Sequence, residues 1–447
     1  MFSSSSKPSI FSKFLNNLKY ILIFSIVFFF TACSQKDVQI ADLKNYSQNP
    51  FSYTKDLNIK LQNQDDYLDD YLKNFFLPWN IKELSYTKSE ASWGNIYKKK
   101  QIYLENHNLA PKEWFEKQTL NSNFNDYNTI LKKAITRKNS NLRVFPTKDN
   151  MFFNPLKAGE GFPFDYNQNS SIKINTPLLI SHYSKDKAWA FVQSHLALGW
   201  IRIDNITFVD EDFINKFKTN DYYISIKESF PIFNITKDKN IPFIESIKIG
   251  TLFPKMGEKY LIASNSKNGI EKIDIDNYNI SKLPLSLTNK NLSLLAREFM
   301  GELYSWGGLN NHRDCSSFTQ DFFAPFGIYL KRNSKEQTLN HKYIDLSSFN
   351  DEEKKEFILN NAIPFLSLVY LKGHIILYIG NKNNEPLVMH NMWGVNTWEF
   401  LFKEGRHVVG KTVITTLEPG SELFNANKNK TLLRRIQGIV FLNEKKD

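Results

Sequence analysis

Cysteine is nearly absent from this chain. Its 447 residues include only Cys33 and Cys315, so at most one disulfide can form and no covalent framework can brace the fold. Cys33 closes an apolar run, Ile21-Leu-Ile-Phe-Ser-Ile-Val-Phe-Phe-Phe30, which Lys7, Lys13 and Lys19 precede. About eleven apolar residues are too few to cross a bilayer, which takes a helix of about twenty. With a basic flank and the small pair Thr31-Ala32 at its end, the run reads as an export signal. Cys315 is then left without a partner, and the fold must close its hydrophobic cores unaided. A lone thiol in an exported chain is better explained by reactivity than by scaffolding.

The length predicts two to four domains, and 41% hydrophobic with 15% aromatic residues is ample for globular cores. The net charge of +11 suits an anionic partner, although a lysine- and asparagine-rich proteome is the better explanation. No dense basic block or zinc-finger spacing points to nucleic acid. Residues 1–32 read as the signal and 33–50 as a polar tether. Residues 51–140 read as helical, with Leu68, Tyr71, Leu72 and Phe75 at three- and four-residue steps and Pro78 breaking the helix. The texture changes near Asn141. Short β-branched and aromatic runs such as Leu178–His182, Ala188–Val192 and Gly199–Ile203 recur at roughly ten-residue spacing, as in a small barrel or sandwich over 141–215. A second block, 216–285, repeats the pattern with Tyr222–Ile226, Ile247–Thr251 and Lys259–Ala263. In the last domain, 286–447, Leu292, Leu295, Phe299 and Leu303 form an apolar helical stripe ended by Gly307-Gly308. Asp314 is placed to cap a second helix from Cys315 to about Ala324, stopped by Pro325 and Gly327, and strands follow.

Chemistry concentrates in this last domain. A helix N-terminus and a nearby imidazole lower a thiol pKa from about 8.5 to roughly 3.5–7.5, and Cys315 follows a capping aspartate. His374 begins the strand Gly373-His-Ile-Ile-Leu-Tyr-Ile-Gly380, and His390 ends Pro386-Leu-Val-Met-His390. Asn381-Lys-Asn-Asn-Glu385 reads as the turn between them, so antiparallel pairing makes the two histidines neighbours at one sheet edge. A nucleophile, a base and a group that orients the base form the general triad arrangement. Spacing alone does not bring Cys315 there. The other histidines (His107, His182, His195, His312, His341 and His407) show no metal-ligand spacing, and no phosphate loop or dinucleotide fingerprint appears, so neither a metal nor a cofactor is expected.

Tyr304-Ser-Trp-Gly-Gly308, Asp314-Cys-Ser316, Lys331-Arg-Asn-Ser-Lys-Glu-Gln337, Gly373–Gly380 and the later His390 resemble the NlpC-type papain-like cell-wall peptidases, in the subgroup with two bacterial SH3 modules. Phe76-Leu-Pro-Trp79, Asn141-Leu-Arg-Val-Phe-Pro146 and Gly161-Phe-Pro-Phe-Asp-Tyr-Asn-Gln168 extend the likeness to about residues 50–440. Phe30-Thr-Ala-Cys33 resembles the lipobox of bacterial lipoproteins, with Phe30 where leucine is usual. The resemblance implies an α+β fold with a papain-like catalytic domain behind a helical segment and two small SH3-like β-barrels. It implies a γ-D-glutamyl-diamino-acid endopeptidase acting on peptidoglycan stem peptides, expected as a monomer held to a bacterial membrane by lipid on Cys33, at the periplasmic face of the outer or inner membrane. Cys315 would attack, His374 would carry the proton and His390 would orient it, while the Cys315 N–H and the Tyr304 hydroxyl would face the oxyanion, packing being the alternative for Tyr304. Asp314, Ser316, Arg332, Asn333 and Ser334 fall at substrate-binding positions, with helix-start and turn roles as alternatives for the serines. Tyr166 and Asp165 either wall the cleft or pack the barrel loop.

Relatives usually carry aspartate after the arginine, where it grips the free amino end of the stem; here it is Asn333. A hydrogen bond to a charged group contributes about 1.5–3 kcal/mol against about 0.5–1.5 for a neutral one, so weaker selectivity for free stem N-termini is expected. An N-acetylmuramoyl-L-alanine amidase or acyltransferase on a similar thiol scaffold, and a non-catalytic wall-binding lipoprotein, are the alternative readings.

Overall fold

Tyr67, Tyr71 and Phe75 recur every four residues, and their rings are the buried face of helix α1 (Gln64–Phe75). Pro78 lies in the first turn of a further short helix, Leu77–Asn80, where a missing N–H costs nothing. The computed structural model describes residues 39–233, 243–266, 269–399 and 403–446; the apolar run and Cys33 lie outside them. Among the described residues no helix is long and apolar enough to cross a membrane. The other long α-helix of the N-terminal region is α2 (Lys112–Asn121).

The first β module starts ahead of residue 141. Its strands are β1 (Lys132–Thr136), β2 (Ser140–Arg143), β3 (Gln168–Ile172), β4 (Pro177–Tyr183), β5 (Trp189–Gln193), β6 (Leu198–Arg202) and β7 (Ile206–Phe208), in the order β3-β2-β6-β5-β4-β1-β7. The two end strands do not pair with each other, so this is an open curled sheet and not the closed barrel expected. The free side of β3 is occupied instead by the Trp306–Asn311 loop of the last domain, where Gln168 Nε2 donates to the Gly307 carbonyl at 3.2 Å.

The second module is open as well. It has β8 (Tyr222–Ser225), a separate ribbon of β9 (Phe230–Phe233) and β10 (Phe243–Ile247), then β11 (Leu252–Met256), β12 (Lys259–Ala263), β13 (Ile270–Ile273) and β14 (Ile280–Lys282). The strand expected over Ile247–Thr251 is instead the end of β10 and a turn through Gly250, whose φ of 82° is glycine territory.

In the last domain α3 (Asn289–Phe299) buries Leu292, Leu295 and Phe299 as expected, but it ends well before Gly307 because Met300 is extended and Gly301 turns left-handed. Next come α4 (Cys315–Phe323), β15 (His341–Asp345), α5 (Asp351–Asn361), β16 (Ser367–Leu371), β17 (His374–Lys382), β18 (Glu385–Trp398), β19 (Glu404–Thr415) and β20 (Ile436–Lys445). The sheet order is β15-β20-β16-β17-β18-β19. The continuous apolar run in β17 is that of a strand covered on both faces. Ile375, Leu377 and Ile379 pack with Phe299, Phe318 and Phe322 of α3 and α4, whereas Ile376 and Tyr378 pack with Ile358 of α5. The segment expected as a tether is docked from Asp42 onward: Gln48 exchanges two 2.9 Å bonds with the Ile414 backbone on β19.

Burial holds several imidazoles neutral, with pKa lowered from 6.5 to about 4 in His182, about 3 in His195 and about 4 in His341. Because these folded-state values lie below the unfolded one, the unfolded chain binds protons first as the pH falls. Stability is therefore full above 6.5 and is lost progressively toward about 3. Melting temperature should drop between pH 7 and pH 5; an unchanged value would contradict the neutral burial of these rings.

Candidate active site

Cys315 is the first residue of α4, and Asp314 caps it. Asp314 Oδ1 accepts from the Ser317 N–H at 2.8 Å, while the Asp314 N–H donates to Ser317 Oγ at 2.9 Å. Phe318 and Phe322, fully buried, press the helix onto β17. The result brings the N–H groups of Ile375 and Ser316 to the Cys315 sulfur, so the thiol sits one residue from His374.

β17 and β18 turn through Asn383 and Asn384, both left-handed (φ 55° and 59°), between paired Lys382 and Glu385. This is the two-residue hairpin geometry that asparagine favours. Leu377 faces Met389, which makes His374 and His390 diagonal neighbours on one face rather than directly opposed. His374 Nε2 lies 3.0 Å from His390 Nδ1. The pair is not at a sheet edge: β19, which the sequence pattern did not reveal, runs along β18 and sets Val413 opposite His390. It also brings Thr415 Oγ1 to 3.0 Å from His390 Nε2.

The expectation of a depressed thiol pKa does not hold in this enclosed site. Burial pushes the Cys315 thiol up to about 12, with the neighbouring Asp314 charge adding to the effect against the Ile375 N–H. Burial likewise lowers His374 to about 3, Arg435 adding to it and Asp314 opposing, and takes His390 well below its ordinary value. The resting groups are a neutral thiol and a neutral imidazole.

A cleft of about 740 Å³ opens over Cys315. Tyr304, Trp306, Tyr166, Trp93 and Tyr97 are among the side chains lining it, so all the modules before and around Cys315 except the second β module contribute to its wall. Burial, with the nearby Asp314 charge, keeps the Tyr304 hydroxyl protonated as a donor. Arg332, Asp314 and Ser316 all line the cleft but spend much of their hydrogen-bonding capacity on one another and on Ser317, Gly307 and Ser170. Arg332 donates to Asp314 Oδ2 at 2.7 Å and to Ser316 Oγ at 2.9 Å, and Ser316 Oγ donates to Asp314 Oδ1 at 3.2 Å. Burial opposes ionisation of Asp314, and Arg332 overcomes it, holding the carboxyl below its ordinary range. Asn333 and Ser334 lie at the cleft, and Asn333 Nδ2 donates to Glu336 at 3.1 Å. Tyr166 donates to Glu160 at 3.0 Å, while Asp165 is fully buried against Arg143 at 2.7 Å and does not wall the cleft. Thr415 carried no local signal, whereas Trp306 and Glu336 lie inside the quoted motifs Tyr304–Gly308 and Lys331–Gln337 without having been assigned a role. Trp93 and Tyr97, four residues apart, showed only an amphipathic pattern.

Comparison with known proteins agrees with this architecture. Residues 301–392 match the NlpC/P60 family profile, 150–202 an SH3 domain of SH3b1 type, and 22–127 the N-terminal NLPC_P60 stabilising domain. A γ-D-glutamyl-L-lysine dipeptidyl-peptidase from Bacillus cereus is 24% identical over 194 residues, which is 41% of this chain. The match spans 54% of that relative's length, about half. The structure of an NlpC/P60 endopeptidase from Photobacterium damselae subsp. piscicida superposes with a TM-score of 0.80 at 24% identity, covering 90% of this chain and 98% of the other. The fold is therefore the NlpC/P60 papain-like one, with an SH3-type domain and a helical N-terminal region.

With a thiol pKa near 12, alkylation of Cys315 by iodoacetamide should keep rising up to pH 10; a plateau reached near pH 5 would reveal a resting thiolate–imidazolium pair. Gly308 has φ 76°, and a Cβ there would collide with Ser171 Oγ of β3. Gly308→Ala should cost about 1–3 kcal/mol in urea unfolding by prising the cleft loop off the first β module.

Proposed function

We propose that this chain is a cysteine peptidase that hydrolyses the peptidoglycan stem peptide between γ-D-glutamate and the following diamino acid, meso-diaminopimelate or lysine. The reading rests above all on the thiol at the α4 N-terminus, seated on the Ile375 N–H beside two histidines 3.0 Å apart. The family profile over residues 301–392 and the activity named for the Bacillus cereus relative support the same reading.

Since both resting groups are neutral, His374 takes the Cys315 proton as sulfur adds to the scissile carbonyl. The carbonyl oxygen gains the negative charge, facing the Cys315 N–H and the Tyr304 hydroxyl; losing one such donor typically costs about 2.7–4 kcal/mol. Collapse expels the amine of the diamino acid, which receives the proton from His374. Water then attacks the thioester with His374 as base, releasing the γ-D-glutamyl carboxylate and restoring the thiol. Arg332 and Asp314 serve this chemistry by fixing the start of α4, and Ser334 and Tyr166 border the bound stem.

Asn333 is neutral, but the Glu336 carboxylate that accepts from it keeps negative charge at that corner of the cleft. The reduced preference for free stem amines read from Asn333 therefore depends on whether Glu336 reaches the ammonium. The chain acts as an exported lipoprotein held by Cys33, in monomeric form.

Digestion of defined tri- and tetrapeptide muropeptides should yield products cut after γ-D-glutamate with the wild-type protein and none with Cys315→Ala or His374→Ala. Release of the lactyl ether from alanine would mark an amidase instead, and binding without cleavage in all proteins would mark a wall-binding module. Equal cutting of free-amine tripeptides and intact sacculi is expected if Asn333 governs; cutting of the tripeptides alone would assign the selectivity to Glu336.

A further inference from the structure

The hydrogen-bond chain does not stop at the second histidine. His390 and Thr415 are both fully buried, and His390 Nε2 lies 3.0 Å from Thr415 Oγ1. The single hydroxyl proton of Thr415 is directed to the Thr416 carbonyl at 2.8 Å, an atom that can only accept. Thr415 Oγ1 therefore receives the His390 Nε2–H, which leaves His390 Nδ1 as an acceptor. His374 Nε2, 3.0 Å away, must then carry its ring proton. By elimination the Nδ1 of a neutral His374 is bare, and no other described residue hydrogen-bonds to it.

Thr415 is itself held from outside the sheet. Asp42 Oδ2 accepts from the Thr416 N–H at 2.7 Å and from Thr416 Oγ1 at 2.8 Å. Gln48 Nε2, donating to the Ile414 carbonyl, and Gln48 Oε1, accepting from the Ile414 N–H, extend the grip over Ile414–Thr416. β19 is the outermost strand of the sheet, so without this strap its backbone at Ile414–Thr416 would have no neighbour on that side.

We propose that Thr415 is the terminal positioning residue of the Cys315–His374–His390 site, setting the tautomer of both imidazoles, and that Asp42 on the N-terminal strap holds it in register. The proposal rests on the cysteine-peptidase reading for its kinetic consequence alone; the tautomers exist whatever the substrate. Residues 42–48 thus belong to the working site although they lie far from Cys315 in the sequence.

Thr415→Val removes the acceptor at nearly constant shape, and a triad histidine left in the wrong tautomer loses on the order of 10⁴-fold in kcat in the best-measured case. A loss of at least about tenfold in kcat at little-changed KM is expected here, with Thr415→Ser restoring most of it. Asp42→Ala should lower kcat less, and its effect should vanish in the Thr415→Val background, since both act through one group. Wild-type kcat in Thr415→Val overturns the proposal, and additive losses in the double variant overturn the part assigned to Asp42. Nitrogen-15 spectra of histidine-labelled wild-type protein need no variant to fold. They should show Nε2-protonated neutral tautomers for both His374 and His390, and an Nδ1-protonated His374 would refute the relay. Wild-type protein that cuts no stem peptide but shows these tautomers would sink the peptidase reading and leave the relay standing.

Discussion

One buried guanidinium ties the modules to the reactive loop. Arg313, two residues before Cys315, donates to Glu302 in the preceding turn, to Asp321 of α4 at 2.7 Å and to Glu228 of the second β module at 2.9 Å. Lys248 joins the cluster on Glu228, and Lys173 from the first β module binds Asp321, so three cations meet three carboxylates. Burial opposes ionisation of Glu228, and Arg313 and Lys248 overcome it, holding the carboxyl down at about 2, while burial and the Glu228 charge push Glu302 up. Such a cluster is weak evidence for net stability, because desolvation offsets most of the attraction. Its asymmetry is what matters: removing one partner strands a buried charge at about 3–5 kcal/mol, so both β modules are held in one arrangement around the start of α4.

That arrangement explains why the cleft is composite. The Gly307-Gly308 loop must lie against β3, because a side chain at either glycine would collide with Gln168 or Ser171. The SH3-type domain is thereby part of the cleft wall, and its Tyr166 ring packs at a tilt against Trp306, their centroids 5.4 Å apart. The enclosure that gives the cleft shape also desolvates the thiol and the imidazoles. A site so buried holds its groups neutral at rest.

Much of the catalytic half was legible in the residues because its signals are local. Asp314 as a cap, the phenylalanines one turn apart and the Pro325–Gly327 stop define α4 within a few residues, and paired asparagines between two apolar runs define the histidine hairpin. Barrel closure was misjudged because it depends on whether two end strands meet, and β3 meets a loop from another domain instead. β19 was missed because Glu404–Thr415 mixes glycine, basic and β-branched residues without clean alternation, its partners being β18 on one side and, on the other, the backbone of residues 301–304 followed by the Asp42–Gln48 strap. The reading of Asp314, Ser316 and Arg332 as ligand groups could not anticipate that their hydrogen-bonding capacity is largely spent internally.

The amino-acid order alone determined which atoms the proposed chemistry draws on: one sulfur behind a helix cap, and two imidazoles on adjacent strands. It also determined the sequence of helical and β segments, since helix caps, turns and periodicity are properties of neighbouring residues. Only the tertiary structure decided the charge state of those atoms, the tautomer of each ring and the walls of the cleft. Each of these is set by desolvation and by partners such as Thr415, Arg332 and Gln168, which lie far along the chain and reach the site only once the sheets and helices pack.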